Sequence, residues 1–97
     1  MNERSESETP RQAFRGQVTS NLRRSKNGFT GNFRMRVDFG TNLVVRQVAL
    51  LLSEHDSTTL TQIEPGRAVA ATGHEYSYRQ QNGKTRRRIR AEKIEIL

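Results

Sequence analysis

Between Phe33 and Phe39 every second side chain is apolar: Phe33, Met35, Val37 and Phe39 alternate with Arg34, Arg36 and Asp38. A period of two sends alternate side chains to opposite faces of an extended chain, so this segment predicts a strand with one buried face and one wet, basic face. Such a strand needs partners, and the flanking sequence supplies them. Phe14, Val18 and Leu22 share one parity around Gly16, which predicts a first strand over residues 14–22 bent at the glycine. Residues 23–28 carry no apolar period and end in Asn27-Gly28, the mark of an exposed loop. Residues 43–52 form a dense apolar run broken only by Arg46 and Gln47, read as a buried third strand continuing into a short helix or connector.

The second half repeats the pattern. Glu64-Pro65-Gly66 is a turn, and Val69 with Ala71 marks a fourth strand over residues 68–72. Past Gly73, Tyr76 and Tyr78 lead to the turn signal Gln80-Gln81-Asn82-Gly83, and Ile89 and Ala91 then alternate with Arg88 and Arg90. This reads as a long hairpin closing on a fifth strand. Parity changes between Ala91 and Ile94, which predicts a bulge near Glu92-Lys93 before Ile94 and Ile96 rejoin the core. Unbroken parity from Val69 would turn Glu75 and Ser77 inward and both tyrosines outward.

Five strands with no strong helical period describe an all-β fold. An open sheet of this size would leave edges to manage, so a closed or partly closed barrel is expected, and the five-stranded OB-fold is the natural candidate. Its connector or short helix falls between strands three and four, and its long hairpin between strands four and five. The 97 residues make one domain. Residues 1–12, with Glu3, Glu6, Glu8 and Pro10, have nothing to bury and are expected to be a disordered tail, leaving residues 13–97 as the folded domain.

Charge decides the partner class. The chain carries 14 Arg and 3 Lys against 10 acidic residues, a formal charge of +7. The excess of arginine favours planar or phosphate groups, because guanidinium offers a rigid fork of donors and stacks on flat rings. Arg79, Lys84, Arg86, Arg87, Arg88, Arg90 and Lys93 face only one nearby acid, Glu92, and two tyrosines precede them. Cations that follow phosphates and aromatic faces that stack on bases are the combination that single-strand binders use. Tyr76 and Tyr78 read either as stacking platforms or as a cross-strand pair that stiffens the hairpin. A second basic group, Arg23, Arg24 and Lys26, sits in the loop between strands one and two, followed by Phe29, which reads either as a third stacking ring or as core. Arg34 and Arg36 continue from it. In an OB-fold those two loops flank the binding face, so both clusters are expected to border one groove.

Other functions find little footing. The absence of cysteine excludes disulfides and thiolate chemistry and fits a reducing compartment. His55 and His74 are isolated, no carboxylate pair has acid/base spacing and no glycine-rich loop opens a helix, so neither catalysis, metal nor cofactor is expected. The longest apolar run falls short of the ~20 residues of a membrane helix, and no signal-peptide core precedes it, so a cytoplasmic protein without a membrane partner is expected.

The segments Gly66-Arg-Ala-Val-Ala-Ala-Thr-Gly73, Asn82-Gly83-Lys84 and Arg90-Ala-Glu-Lys-Ile-Glu-Ile-Leu97 resemble the last two strands of bacterial single-stranded DNA-binding proteins, and more closely those of the primosomal replication protein N (PriB) family. Gly16-Gln17-Val18 and Leu22-Arg23 extend the likeness more weakly. The resemblance implies an OB-fold, commonly a homodimer, that binds single strands on its strand surface and on the loop corresponding to residues 79–88, with no catalysis. It departs from the family in three places: there is no tryptophan, the chain stops at Leu97 without an acidic tail, and Glu75 stands where an apolar residue is usual. The missing tail points to an accessory factor of DNA replication, restart or recombination. A dimer is expected through residues 43–52. RNA in place of DNA, and docking of the arginines on an acidic surface of a helicase or other replication protein, stand as alternatives.

Overall fold

The computed structural model describes residues 9–97. Five long strands close into a ring. They are β1 (Gln12–Val18), β3 (Thr30–Asp38), β4 (Leu43–Leu51), β5 (Ala68–Arg79) and β6 (Thr85–Ile96). The two-residue strand β2 (Arg23–Arg24) lies on the edge of β3. Around the ring, β1 pairs with β3 and β5, β5 with β6, and β3 with β4, all antiparallel. The ring closes through one parallel contact, Gln47–Arg88 to Ala49–Arg90 between β4 and β6. This is the expected OB-fold barrel, with a 3-10 turn (Leu52–Glu54) and a short helix α1 (Ser57–Thr61) between β4 and β5.

The core follows the alternation. Phe33, Met35 and Val37 of β3 point inward together with Phe14, Val18, Val48, Leu50, Val69, Ala71, Ile89, Ala91 and Ile94. Leu52, Leu60 and Ile63 of the connector close one end. A small chain has only this one enclosed volume in which to bury its apolar groups.

Four expectations change in detail. The first strand stops at Val18, where the Val18 N–H bonds to the carbonyl of Arg67 and the Thr19 N–H to that of Arg34. The supposed loop then begins as strand, since Arg23 pairs with Asn32 and Arg24 with Gly31. The run at residues 43–52 is not buried throughout: only one face of β4 looks into the barrel, and Leu43 (62 %) and Val45 (49 %) remain exposed on the other. It therefore does not offer a second copy one continuous apolar surface. The fourth strand does not end at Thr72 but runs unbroken into the hairpin as far as Arg79, paired there with Thr85.

The expected bulge is present. Thr72 pairs with Lys93 and Gly73 with Ala91, which leaves Glu92 as the extra residue of β6. Glycine is required opposite it, because a β-carbon on Gly73 would sit 1.9 Å from the carbonyl oxygen of Arg90. At Gly16, where β1 is held by β3 and β5 at once, a β-carbon would meet the carbonyl oxygen of Arg36 at 1.8 Å. Strand pairing starts at Gln12, and Thr9 already exchanges hydrogen bonds with Glu75: its N–H donates to the Glu75 carbonyl (2.9 Å) and its Oγ1 accepts from the Glu75 N–H (2.9 Å). The rest of the expected tail, residues 1–8, lies outside the described residues.

Candidate nucleic-acid interface

Partners in a sheet register carry their side chains on the same face, so the strand pairing fixes what the outside of the barrel presents. Arg34 of β3 aligns with Gln47 of β4, Gln47 with Arg88 of β6, and Arg88 with Tyr76 of β5. One step along, Arg23 aligns with Asn32, Asn32 with Ala49, Ala49 with Arg90, and Arg90 with His74. Toward the hairpin tip Arg36 aligns with Val45, and Tyr78 with Arg86. Arg24, in register with buried Gly31, has the opposite parity, so of the loop cluster Arg23 joins the hairpin cations on one outer surface. Its sides, β2 and β5, are four strand spacings apart, about 19 Å along the surface at ~4.8 Å each.

The β5–β6 side is knit together by side-chain contacts. Tyr76 and Tyr78 are half-buried neighbours with ring centroids 6.4 Å apart at 47°. The Arg88 guanidinium lies over the Tyr78 ring, 4.3 Å from its centroid, a cation–π arrangement. Arg88 Nη2 donates to Gln47 Oε1 (3.1 Å), and Gln47 Nε2 donates to Asn32 Oδ1 (3.2 Å). Arg34, Arg36, Arg79, Lys84, Arg86 and Arg90 are exposed. At the tip, the Gln80 N–H donates to the Lys84 carbonyl and the Gly83 N–H to the Gln80 carbonyl, with Gly83 at φ +86°. The Asn82-Gly83 signal thus builds the turn it promised.

Arg87 differs from its neighbours. It sits in register with Ser77 on the inner face, donates to Ser77 Oγ (3.0 Å) and pairs with Glu75 (3.3 Å). The run of three arginines is tolerable because alternate members leave on opposite sides and the middle one has a counter-charge. Glu75 also accepts from Arg46 Nε at 2.5 Å. Burial would raise the Glu75 pKa, but hydrogen bonds and charge from Arg46 and Arg87 outweigh it, and the carboxyl lies below the ordinary glutamate range. Arg46 in turn stands over the Phe39 ring, 5.5 Å from its centroid, and Phe39 meets Phe14 edge-on at 6.4 Å. Glu75 is therefore inward, as parity required. Arg46, Glu75 and Arg87 thus form an ion triad that links β4, β5 and β6.

On the β2 side, Asn27 Oδ1 accepts from Ser25 Oγ (2.6 Å) and from the Phe29 N–H (2.8 Å), while the Leu52 N–H bonds to the Phe29 carbonyl. These bonds fix the backbone of the turn and leave the Phe29 ring 72 % exposed, so Phe29 is not core. Arg23, Arg24 and Lys26 are exposed. Between the two sides opens a groove of about 560 Å³ whose lining includes Thr30, Ala49, His74, Tyr76 and Arg90 together with the carboxylates Glu54 and Glu92. Sequence reasoning did not single out Asn32, Gln47 or His74 for this face. The available signal was that Gln47 interrupts an apolar run at a position of outward parity.

No protein-family model matches the chain, and no curated protein matches it in sequence. Solved structures do match it in fold. A mitochondrial single-stranded DNA-binding protein from S. cerevisiae superposes with a TM-score of 0.69 at 10% identity, over 91% of this chain and 94% of that one. The small single-stranded DNA-binding protein of Streptomyces coelicolor gives 0.63 at 16% identity over 91% and 94%. Plasmodium falciparum SSB in complex with single-stranded DNA gives 0.58 at 18% identity over 100% and 99%.

Proposed function

We propose that this protein is a non-catalytic binder of single-stranded DNA that uses the outer face of β3, β4, β6 and β5. The observation that carries the reading is the register of that face: a tyrosine pair on β5 opposite Arg86 and Arg88 on β6, continued across β4 by Arg34 and Arg36. Cations at the strand spacing track a phosphate backbone, and rings beside them stack on bases without reading their identity. Solved proteins of the same fold that bind single-stranded DNA support the choice of ligand. An accessory role in replication, restart or recombination extends the proposal and rests on the PriB-like closing segment. A homodimer, for which light scattering would give twice the 11.1 kDa chain mass, extends the proposal on the same likeness.

The test is a titration of labelled oligonucleotides over a salt series. Single strands should bind with micromolar or better affinity that falls steeply with salt, and duplex of equal length should bind more weakly. Equal affinity for duplex, or binding indifferent to salt, refutes the proposal. Tight binding of an RNA strand with weak binding of its DNA counterpart would move it to RNA.

A further inference from the structure

Tyr76 and Tyr78 are two residues apart on one face, yet their surroundings differ. Tyr76 borders the 560 Å³ groove together with His74 and Arg90, so open space lies beside it. Tyr78 does not border that groove, and one of its faces is covered by the Arg88 guanidinium at 4.3 Å. A ring face occupied by a guanidinium is not available to a base, whereas a guanidinium held flat on a ring keeps its edge for a phosphate oxygen.

What fixes Arg88 lies two strands away from Tyr78. Gln47 sits in register with Arg88 across the parallel β4–β6 contact and accepts from its Nη2 at 3.1 Å. The amide of Gln47 is itself oriented by donating to Asn32 Oδ1 at 3.2 Å. A side-chain amide has one acceptor end and one donor end, so the bond to Asn32 aims the acceptor at Arg88. The Nε of Arg88 is buried without a hydrogen-bond partner, so ring and amide restrain the guanidinium while its donors outnumber the acceptors around it. Arginine otherwise surrenders a large rotamer entropy when it is immobilised on a ligand, and a side chain already held avoids that loss.

We infer that the two tyrosines divide the work: Tyr76 is the base-stacking ring, while Tyr78, Gln47 and Asn32 are positioning residues that hold Arg88 for a phosphate of the strand. This rests on the proposed single-strand binding and assigns parts within that site. It makes Gln47 a determinant of affinity although it contributes no charge.

The experiment measures affinity for an oligo-dT strand at several salt concentrations for the native chain, Tyr76→Ala, Tyr78→Ala, Gln47→Leu, Arg88→Ala and the double variant Gln47→Leu/Arg88→Ala, with each variant's melting curve recorded alongside. Tyr76→Ala should weaken binding by about 5- to 100-fold with an unchanged salt slope, as expected for a lost stack. Tyr78→Ala, Gln47→Leu and Arg88→Ala should each flatten the slope by about 0.7, the signature of one lost phosphate contact on a single strand. Gln47→Leu should have no further effect once Arg88 is alanine. The assignment is overturned if Gln47→Leu leaves the slope unchanged, if its effect is as large without Arg88 as with it, or if the two tyrosine variants behave alike. Should Gln47→Leu fail to fold, Asn32→Leu takes its place, with the same slope change expected and an unchanged slope again overturning the assignment. Absence of single-strand binding by the native chain would instead refute the proposed function itself, a separate outcome.

Discussion

Glu75 joins Arg46 and Arg87 in an ion triad. Its side chain is 9 % exposed in a barrel interior, a costly place for a carboxylate, and it stays charged because Arg46 and Arg87 both reach it. Removing it strands two partly buried guanidinium groups, so Glu75→Ala should cost about 2 kcal/mol, less than a fully dry ion pair because both arginines keep contact with water. Differential scanning calorimetry should then show a melting temperature lower by about 8–16 °C. The pH dependence follows from the direction of the pKa change. A carboxyl held below its unfolded value stabilises fully at neutral pH, and that contribution is lost as pH falls through the lowered folded-state value. Stability should therefore decline as pH falls from the ordinary glutamate range to the lowered folded-state value, and decline less steeply in Glu75→Gln than in the native chain. An unchanged acid profile in Glu75→Gln would mean that the triad does not titrate with folding.

At the scale of elements, the β5–β6 hairpin is a continuation of the barrel wall and not an appendage. The bulge at Glu92 restores inward parity for Ile94, and Gly73 is the residue that lets the strands approach there. Gly73→Ala should lower stability by about 3 kcal/mol, since the β-carbon meets backbone that has no side-chain slack to give. Gly83→Ala at the tip meets open space and should cost only the left-handed backbone strain, about 1–2 kcal/mol. Paired urea melts of the two variants check the ordering; similar losses would place the bulge outside the cooperative fold. The sequence disclosed the bulge through its parity change and the turn through Asn82-Gly83. It did not disclose that β5 is one strand from Ala68 to Arg79, because a glycine and two tyrosines after a short apolar stretch look locally like a break.

For the molecule as a whole, the consequence is a single basic face about 19 Å across between β2 and β5. A face of that width suits the short end of the 4–16 nucleotides that one OB-fold covers. Affinity for oligo-dT strands of increasing length should rise and then level off within about that range; a continued rise beyond 16 nucleotides would require a second copy on the strand. What the sequence determined alone is the all-β class, the inward set from Phe14 to Ile94, the outward parity of both tyrosines and the excess of arginine, since each depends on a period of two or on composition. What only the tertiary structure decided is which residues meet across the strands. Strand parity says that Gln47 and Arg88 face outward, Arg87 inward and Phe29 nowhere in particular. Ring closure through the parallel β4–β6 contact makes neighbours of Gln47 and Arg88, 41 residues apart, and no pattern local to either segment carries that register.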